Sequence, residues 1–344
     1  MISHNSVSII RNLFFISLIL LLSISPAFAT HPGELDEHED LQTPSFEAWL
    51  AAFRQEALVK GISEKTLNTV LPSVKPIPRV IELDRNQPEF KLTFDQYLSR
   101  VAPPFRVKLG RKLLKMHKGL LNQIRAKYGV QPRYIVALWG METDFGRLTG
   151  GFNAINALAT LAYDGRRSKY FRGQLINAFL ILDKGHVTYK EMLGSWAGAM
   201  GQTQFMPSTF LSYAVDFNND GKINLWKDKE DALASGANYL SQVGWYGDQT
   251  WGREVQLPDD FNANLASLDI KKDISEWQVM GVRRINGKDL PTRKLDASII
   301  RVDDNKGRAF MVYDNYRAIM DWNRSTSFAT AVGILSDRIA NVKK

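Results

Sequence analysis

Cysteine is absent from all 344 residues. That absence excludes disulfides, thiolate metal sites, a cysteine nucleophile and a thioether-linked lipid anchor. Histidine is scarce as well: there are five, and His31 and His38 fall in a polar segment near the N-terminus. Histidine-based metal catalysis is therefore a poor expectation. Beyond residue 24 no apolar run approaches the roughly 20 residues that a membrane-spanning helix needs, and there is no internal repeat or low-complexity tract. What remains is ordinary for a globular chain. A hydrophobic content of 44% with 23% charged residues argues against disorder and coiled coil, and the length suffices to bury a full core.

The N-terminus reads as a processing segment. Arg11 is its lone formal charge, residues 13–24 are apolar apart from Ser17 and Ser23, and Ala27-Phe28-Ala29 is a small-x-small cleavage site. This three-part pattern predicts a signal peptide over 1–29, hence export to a periplasm with no membrane anchor. Residues 30–45, with Glu34, Asp36, Glu37, Glu39 and Asp40, read as a flexible acidic leader.

Along the mature chain the pattern is first helical. Phe46, Leu50, Phe53, Ala57 and Leu58 keep helical spacing, and Gly61 then Ser63 stop that helix and cap a second through Leu67, Val70 and Leu71. Pro72, Pro76, Pro78 and Pro88 predict an extended or looped stretch. Leu109, Leu113, Met116, Leu120 and Ile124 predict one helix ending at Gly129, with eight cations between Arg106 and Lys127; a solvated face is the favoured reading, a basic groove for an anionic polymer the alternative. Two helices separated by Asp164-Gly165 follow over 154–182, and another spans 229–242. Late in the chain, 298–302 and 308–313 are β-rich runs joined by Asp303-Asp304-Asn305-Lys306-Gly307, a hairpin signal, and 328–339 closes as a helix. The fold class is α+β, mostly α.

Three stretches carry candidate chemistry. Ile135 to Met141 is apolar all round, as in a helix buried on every side, and Glu142 follows at once. Burial disfavours a carboxylate, so the Glu142 carboxyl is expected above the usual range, where it can serve as a general acid. A structural pairing with Arg133 or Arg147, or with backbone at the helix end, is the plainer alternative. The second stretch, 194–208, is rich in Gly and Ala and carries Ser195, Gln202, Thr203 and Gln204, neutral groups suited to sugar hydroxyls and acetamides. Asp216, Asn218, Asp220 and Gly221, in the third, match the opening of a calcium loop. Its twelfth position is Lys227 in place of glutamate, so Glu230 or Asp231 would have to complete the shell; a metal-free turn is the alternative.

Taken together, Trp139-Gly140-Met141-Glu142-Thr143-Asp144-Phe145-Gly146, 157–164, 194–208, 216–226 and Tyr316-Arg317-Ala318-Ile319-Met320-Asp321-Trp322-Asn323 resemble one family. It is the lytic murein transglycosylases of the membrane-bound B type, and the resemblance runs in order over roughly 46–340. It implies a lysozyme-like fold with a small β-containing subdomain, as one catalytic domain over 46–344 without a separate C-terminal wall-binding module. The implied reaction cleaves the MurNAc-β-1,4-GlcNAc bond of peptidoglycan glycan strands without water, leaving a 1,6-anhydro-MurNAc end. Glu142 matches the single acid and base. Ser195, Met200, Gln202, Gln204, Asn323 and Phe328 match positions of the sugar-binding groove. Asp216, Asn218, Asp220, Lys222 and Asp231 match a structural Ca2+ loop; no other cofactor is implied. Two departures stand out: Gln202-Thr203 where some relatives have Tyr-Gly, and Phe328 where some have a tyrosine.

The partner expected is the glycan strand, bound by a monomer. Nucleic acid is not expected despite a net charge of +8, because the cations are spread along an exported chain. A hydrolytic muramidase using a second carboxylate and a non-catalytic wall-binding scaffold are the alternatives.

Overall fold

The computed structural model describes residues 44–86 and 92–342. The expected signal peptide and residues 30–43 of the acidic leader lie outside the described residues. Among the described residues no helix is long and apolar enough to cross a membrane.

Helices dominate, and most begin where the sequence supplies a cap. Ser45 and Ser63 accept main-chain N–H bonds at the heads of α1 (Phe46–Val59) and α2 (Glu64–Val70). The proline-rich stretch is less extended than expected. Leu71–Ser73 forms a 3-10 turn and Pro78 opens α3 (Pro78–Arg85), since proline's fixed φ suits a first helical turn. Thr93 and Gln96 form a reciprocal capping box on α4 (Phe94–Val101).

The expected long basic helix is two. α5 (Pro104–Met116) and α6 (Lys118–Tyr128) meet at His117, whose φ of −99° and ψ of 21° turn the chain. The turn lets the His117 ring pack edge-on to Trp139, 6.0 Å between centroids. Arg106, expected on the solvated face, is buried beneath α5 instead. Gly129 ends α6 in the left-handed conformation, as predicted.

α7 (Pro132–Thr143) is buried from Tyr134 to its end. A two-stranded ribbon of β1 (Phe152–Asn153) and β2 (Leu193–Gly194) brackets α8 (Ala154–Asp164) and α9 (Ser168–Asp183), the two helices expected around Asp164-Gly165. After α10 (Pro207–Tyr213) and α11 (Lys229–Gln242) comes a five-stranded antiparallel sheet of order β4-β6-β7-β3-β5. Its strands are β3 (Gly252–Gln256), β4 (Lys272–Asp273), β5 (Arg283–Arg284), β6 (Asp296–Arg301) and β7 (Ala309–Val312), with α12 (Ile274–Val279) among them. The predicted hairpin is β6–β7, joined through the one-turn α13 (Val302–Asn305), where Asp303 and Asp304 take positive φ. α14 (Asp314–Trp322) and α15 (Thr326–Ala340) close the chain.

Three apolar clusters organise these elements. The first gathers α4 to α7 with α11, α14 and α15; the second gathers α1 to α3 with α8 to α10; the third lies against the sheet around Trp277, Ile299 and Met311. Tyr239 and Trp322 pack against both of the first two. That seam holds the site.

Candidate active site

α7 ends abruptly at Thr143, one residue past Glu142. Asp144, Phe145 and Gly146 take φ of 50°, 62° and 79°, three successive left-handed residues. The reversal is held from below by Arg106, whose Nε lies 3.1 Å from Asp144 Oδ1, with Arg147 on the other carboxylate oxygen. Both Arg106 and Asp144 are buried, and burial lowers the Arg106 pKa against the opposing pull of Asp144. Arg147 is thus engaged by Asp144, and Arg133 pairs with Asp337 at 3.3 Å.

Glu142 keeps 4% of its surface exposed. Trp322, the last residue of α14, donates its indole N–H to Glu142 Oε1 at 2.8 Å. The space beside the carboxyl is about 10 Å³, lined by Ile135, Leu138, Trp139, Thr203, Leu233 and Trp322 among others. Glu142 is the one acid in that lining. Thr203 is 4% exposed, and its hydroxyl has no hydrogen-bond partner among the described residues.

The 194–208 segment folds back on itself against the end of α7. Met200 bridges both Gly194 and Phe205. Gly201, at φ 66°, lets this backbone approach Leu225; a Cβ there would stand 2.7 Å from the Leu225 carbonyl oxygen. Gln202 fastens the segment with every polar group it owns. Its Oε1 accepts from Trp139 Nε1 at 3.0 Å and its Nε2 donates to the Trp226 carbonyl at 3.3 Å. Its carbonyl accepts from the Thr143 hydroxyl at 2.8 Å, and its N–H donates to the Leu225 carbonyl.

Gln202 thereby ties the segment to α7, and Met200 is fully buried in the second apolar cluster. Ser195 is half-buried, its Oγ accepting from Ala199 N at 3.1 Å. Gln204, at φ 50°, anchors its amide nitrogen on the Thr149 and Gly201 carbonyls. Asn323 follows Trp322 directly and accepts from Ser325 N at 3.0 Å. Phe328 is buried in the first cluster and presents only carbon. Sequence reading missed Trp322 as a site residue, although Trp322-Asn323 lay within a stretch already singled out; only the folded chain brings the indole to the carboxyl.

The acidic loop is a nest of side-chain-to-backbone bonds. Asp216 Oδ1 and Asn218 Oδ1 both accept from Asp220 N, at 3.2 and 3.0 Å. Asp220 Oδ1 accepts from Lys222 N at 2.9 Å. Asp231 is fully buried, its two oxygens accepting from Phe217 N at 2.7 Å and Asn224 N at 2.8 Å. Burial pushes the Asp231 carboxyl up, and these N–H bonds pull against it. Among the described residues no group of three or more acidic or histidine side chains converges as a metal cage.

Known proteins share this sequence pattern and fold. The Transglycosylase SLT domain family (SLT_2) matches residues 45–337. Membrane-bound lytic murein transglycosylase B of Escherichia coli is 33% identical over 300 residues, 81% of this chain and 79% of that protein. SltB3 from Pseudomonas aeruginosa, solved with NAG-NAM-pentapeptide and with NAG-anhNAM-pentapeptide, is 46% identical, covers 86% of this chain and 80% of its own, and superposes with a TM-score of 0.83. Escherichia coli Slt35 in complex with calcium is 30% identical over 88% of this chain and 95% of its own, with a TM-score of 0.73. The mostly helical α+β architecture is the lysozyme-like fold of these enzymes. By its sequence and its fold, the chain belongs to the Transglycosylase SLT domain family, among the relatives of membrane-bound lytic murein transglycosylase B.

Proposed function

We propose that this protein cleaves the MurNAc-β-1,4-GlcNAc bond of peptidoglycan without water, with Glu142 as both acid and base. One observation carries the reading: a single buried carboxyl, alone of its kind in the pocket lining, is held by an indole N–H. Ordinary glycosidases need two carboxyls. Burial favours the neutral acid before reaction. Glu142 protonates the glycosidic oxygen as the bond to the MurNAc anomeric carbon breaks. The MurNAc C6 hydroxyl then attacks that carbon and its proton passes to the Glu142 carboxylate. The acid is regenerated, and the product carries a 1,6-anhydro end.

Ser195, Gln204 and Asn323 would face the sugar, joined by Thr203, whose buried hydroxyl lines the pocket and has no partner among the described residues. A scaffold without catalysis is disfavoured, because a binder gains nothing from the desolvation cost of a buried carboxyl. The 1–29 segment would export the protein to the periplasm, where residues 46–344 would act as one catalytic domain on the wall.

The acidic loop offers oxygen donors of the right kind for a hard cation: Asp216, Asn218, Asp220, the Lys222 carbonyl and Asp231 would hold Ca2+. The ion would brace the loop that leads into α11, with no part in the chemistry. Raising Ca2+ should raise the unfolding temperature, and Asp220→Ala should abolish that response.

The enzymatic reading is tested by incubating purified sacculi with the mature protein and with Glu142→Gln. Wild type should release anhydro-muropeptides, and the variant should bind sacculi and release none. Undiminished release by Glu142→Gln would remove Glu142 from the chemistry.

A further inference from the structure

Trp322 holds the Glu142 carboxyl by a defined hydrogen bond, and its own position is over-determined. The indole packs on Phe205 at 5.3 Å and stands edge-on to Tyr239 at 5.1 Å and 74°. Gly236 lies beneath it, where a Cβ would meet Trp322 Cη2 at 3.5 Å. Tyr239 in turn donates its hydroxyl to the carbonyl of Asp321, the residue before the indole, at 2.7 Å. Ring and main chain are therefore fixed together, and the N–H has one place to point.

An indole N–H can donate and never accept. The oxygen that faces it must be an acceptor in both protonation states of the carboxyl, and a carbonyl or carboxylate oxygen accepts far better than an acid hydroxyl. We infer that Trp322 is a positioning residue for the reaction: by holding Glu142 Oε1 at 2.8 Å it fixes the orientation of the carboxyl and confines the catalytic proton to Oε2. The inference rests on the reading of Glu142 as acid and base. In the first step the O–H bond at Oε2 breaks and its proton goes to the leaving oxygen. In the second step the C6 hydroxyl returns a proton to the same Oε2, while Oε1 keeps its bond to the indole. One carboxyl can serve both steps without rotating.

Because the reacting group is charged in one state and neutral in the other, the same bond supports the carboxylate more than the acid. Losing it should move the basic limb of the rate profile to higher pH, since the first step needs the protonated form.

The test replaces Trp322 in the full mature protein with β-(3-benzothienyl)alanine, which keeps the ring shape and puts sulfur in place of the N–H. 5-Fluorotryptophan at the same position, which keeps the N–H, is the conservative partner, and Trp322→Phe is the variant lacking both the donor and part of the bulk. Turnover of a soluble glycan is followed against pH, with thermal unfolding measured alongside. The benzothienyl protein should lose about tenfold or more in kcat, the scale of one charge-assisted hydrogen bond, with KM little changed and the basic limb moved up. The fluorinated protein should behave as wild type. If the benzothienyl protein instead keeps wild-type kcat and pH profile while Trp322→Phe is impaired, the indole serves packing alone and the proposal fails. Glu142→Gln run beside them separates the two levels. Turnover surviving in that variant overturns the reading of Glu142 itself, whereas an inactive Glu142→Gln with an unaffected benzothienyl protein overturns only the role of Trp322.

Discussion

At the scale of single residues, the site is a contrast between polar groups that are fully satisfied and one that is not. Thr203 keeps a buried hydroxyl without a partner among the described residues. Thr203→Val removes that group at nearly constant shape, so denaturant unfolding should show stability unchanged or raised by up to about 1 kcal/mol. A rise in KM in the same variant would show that substrate uses the hydroxyl. Asp144 is the opposite case. Its carboxylate neutralises buried Arg106, so Asp144→Ala strands a buried cation and should cost about 3–5 kcal/mol by the same measurement. Glu142 was legible because a wholly apolar helix delivered it into burial. Its partner was not, since Trp322 lies 180 residues away and no local pattern links an indole to a carboxyl. Met200 and Gln202 carry a related ambiguity. A residue type suited to sugar is equally suited to a buried tie, and only the neighbours Trp139, Thr143, Leu225 and Trp226 decide between them.

At the scale of elements, caps and breakers were the dependable signals. Ser63 and Gly129 start and stop helices where the sequence places them, and the β6–β7 hairpin forms across the predicted turn. The break at His117 was invisible because its flanks, Leu113 and Leu120, keep a continuous apolar rhythm; the contact with Trp139 decides the direction of α6. Joints between elements also carry titratable groups. Asp183 at the end of α9 accepts bonds from the Ser63 main chain and from the Ser63 and Thr66 hydroxyls at the head of α2. Burial pushes its carboxyl up, and these bonds outweigh that effect and hold it below the ordinary value. A carboxyl lowered in the folded state stabilises fully above its unfolded pKa, about 4, and loses that contribution as pH falls through the folded value. The stability advantage of wild type over Asp183→Ala should therefore be constant from neutral pH down to about pH 4 and shrink below it, as thermal unfolding at a series of pH values will show.

At the scale of the whole molecule, the site exists because two apolar clusters meet. α7 supplies the acid, the 194–208 segment walls it, α11 supplies the floor, and α14 brings the indole across. Secondary structure could be read in part from the sequence, but the assembly of four distant segments could not, and the resemblance to a family stood in for it. The central claim is that the nucleophile belongs to the substrate and not to solvent. Digestion of sacculi in water enriched in oxygen-18, followed by mass spectrometry of the released muropeptides, tests it most directly. The account predicts anhydro ends one water lighter than reducing ends and without the heavy isotope. Reducing MurNAc ends carrying oxygen-18 would contradict it, because water would then be the acceptor.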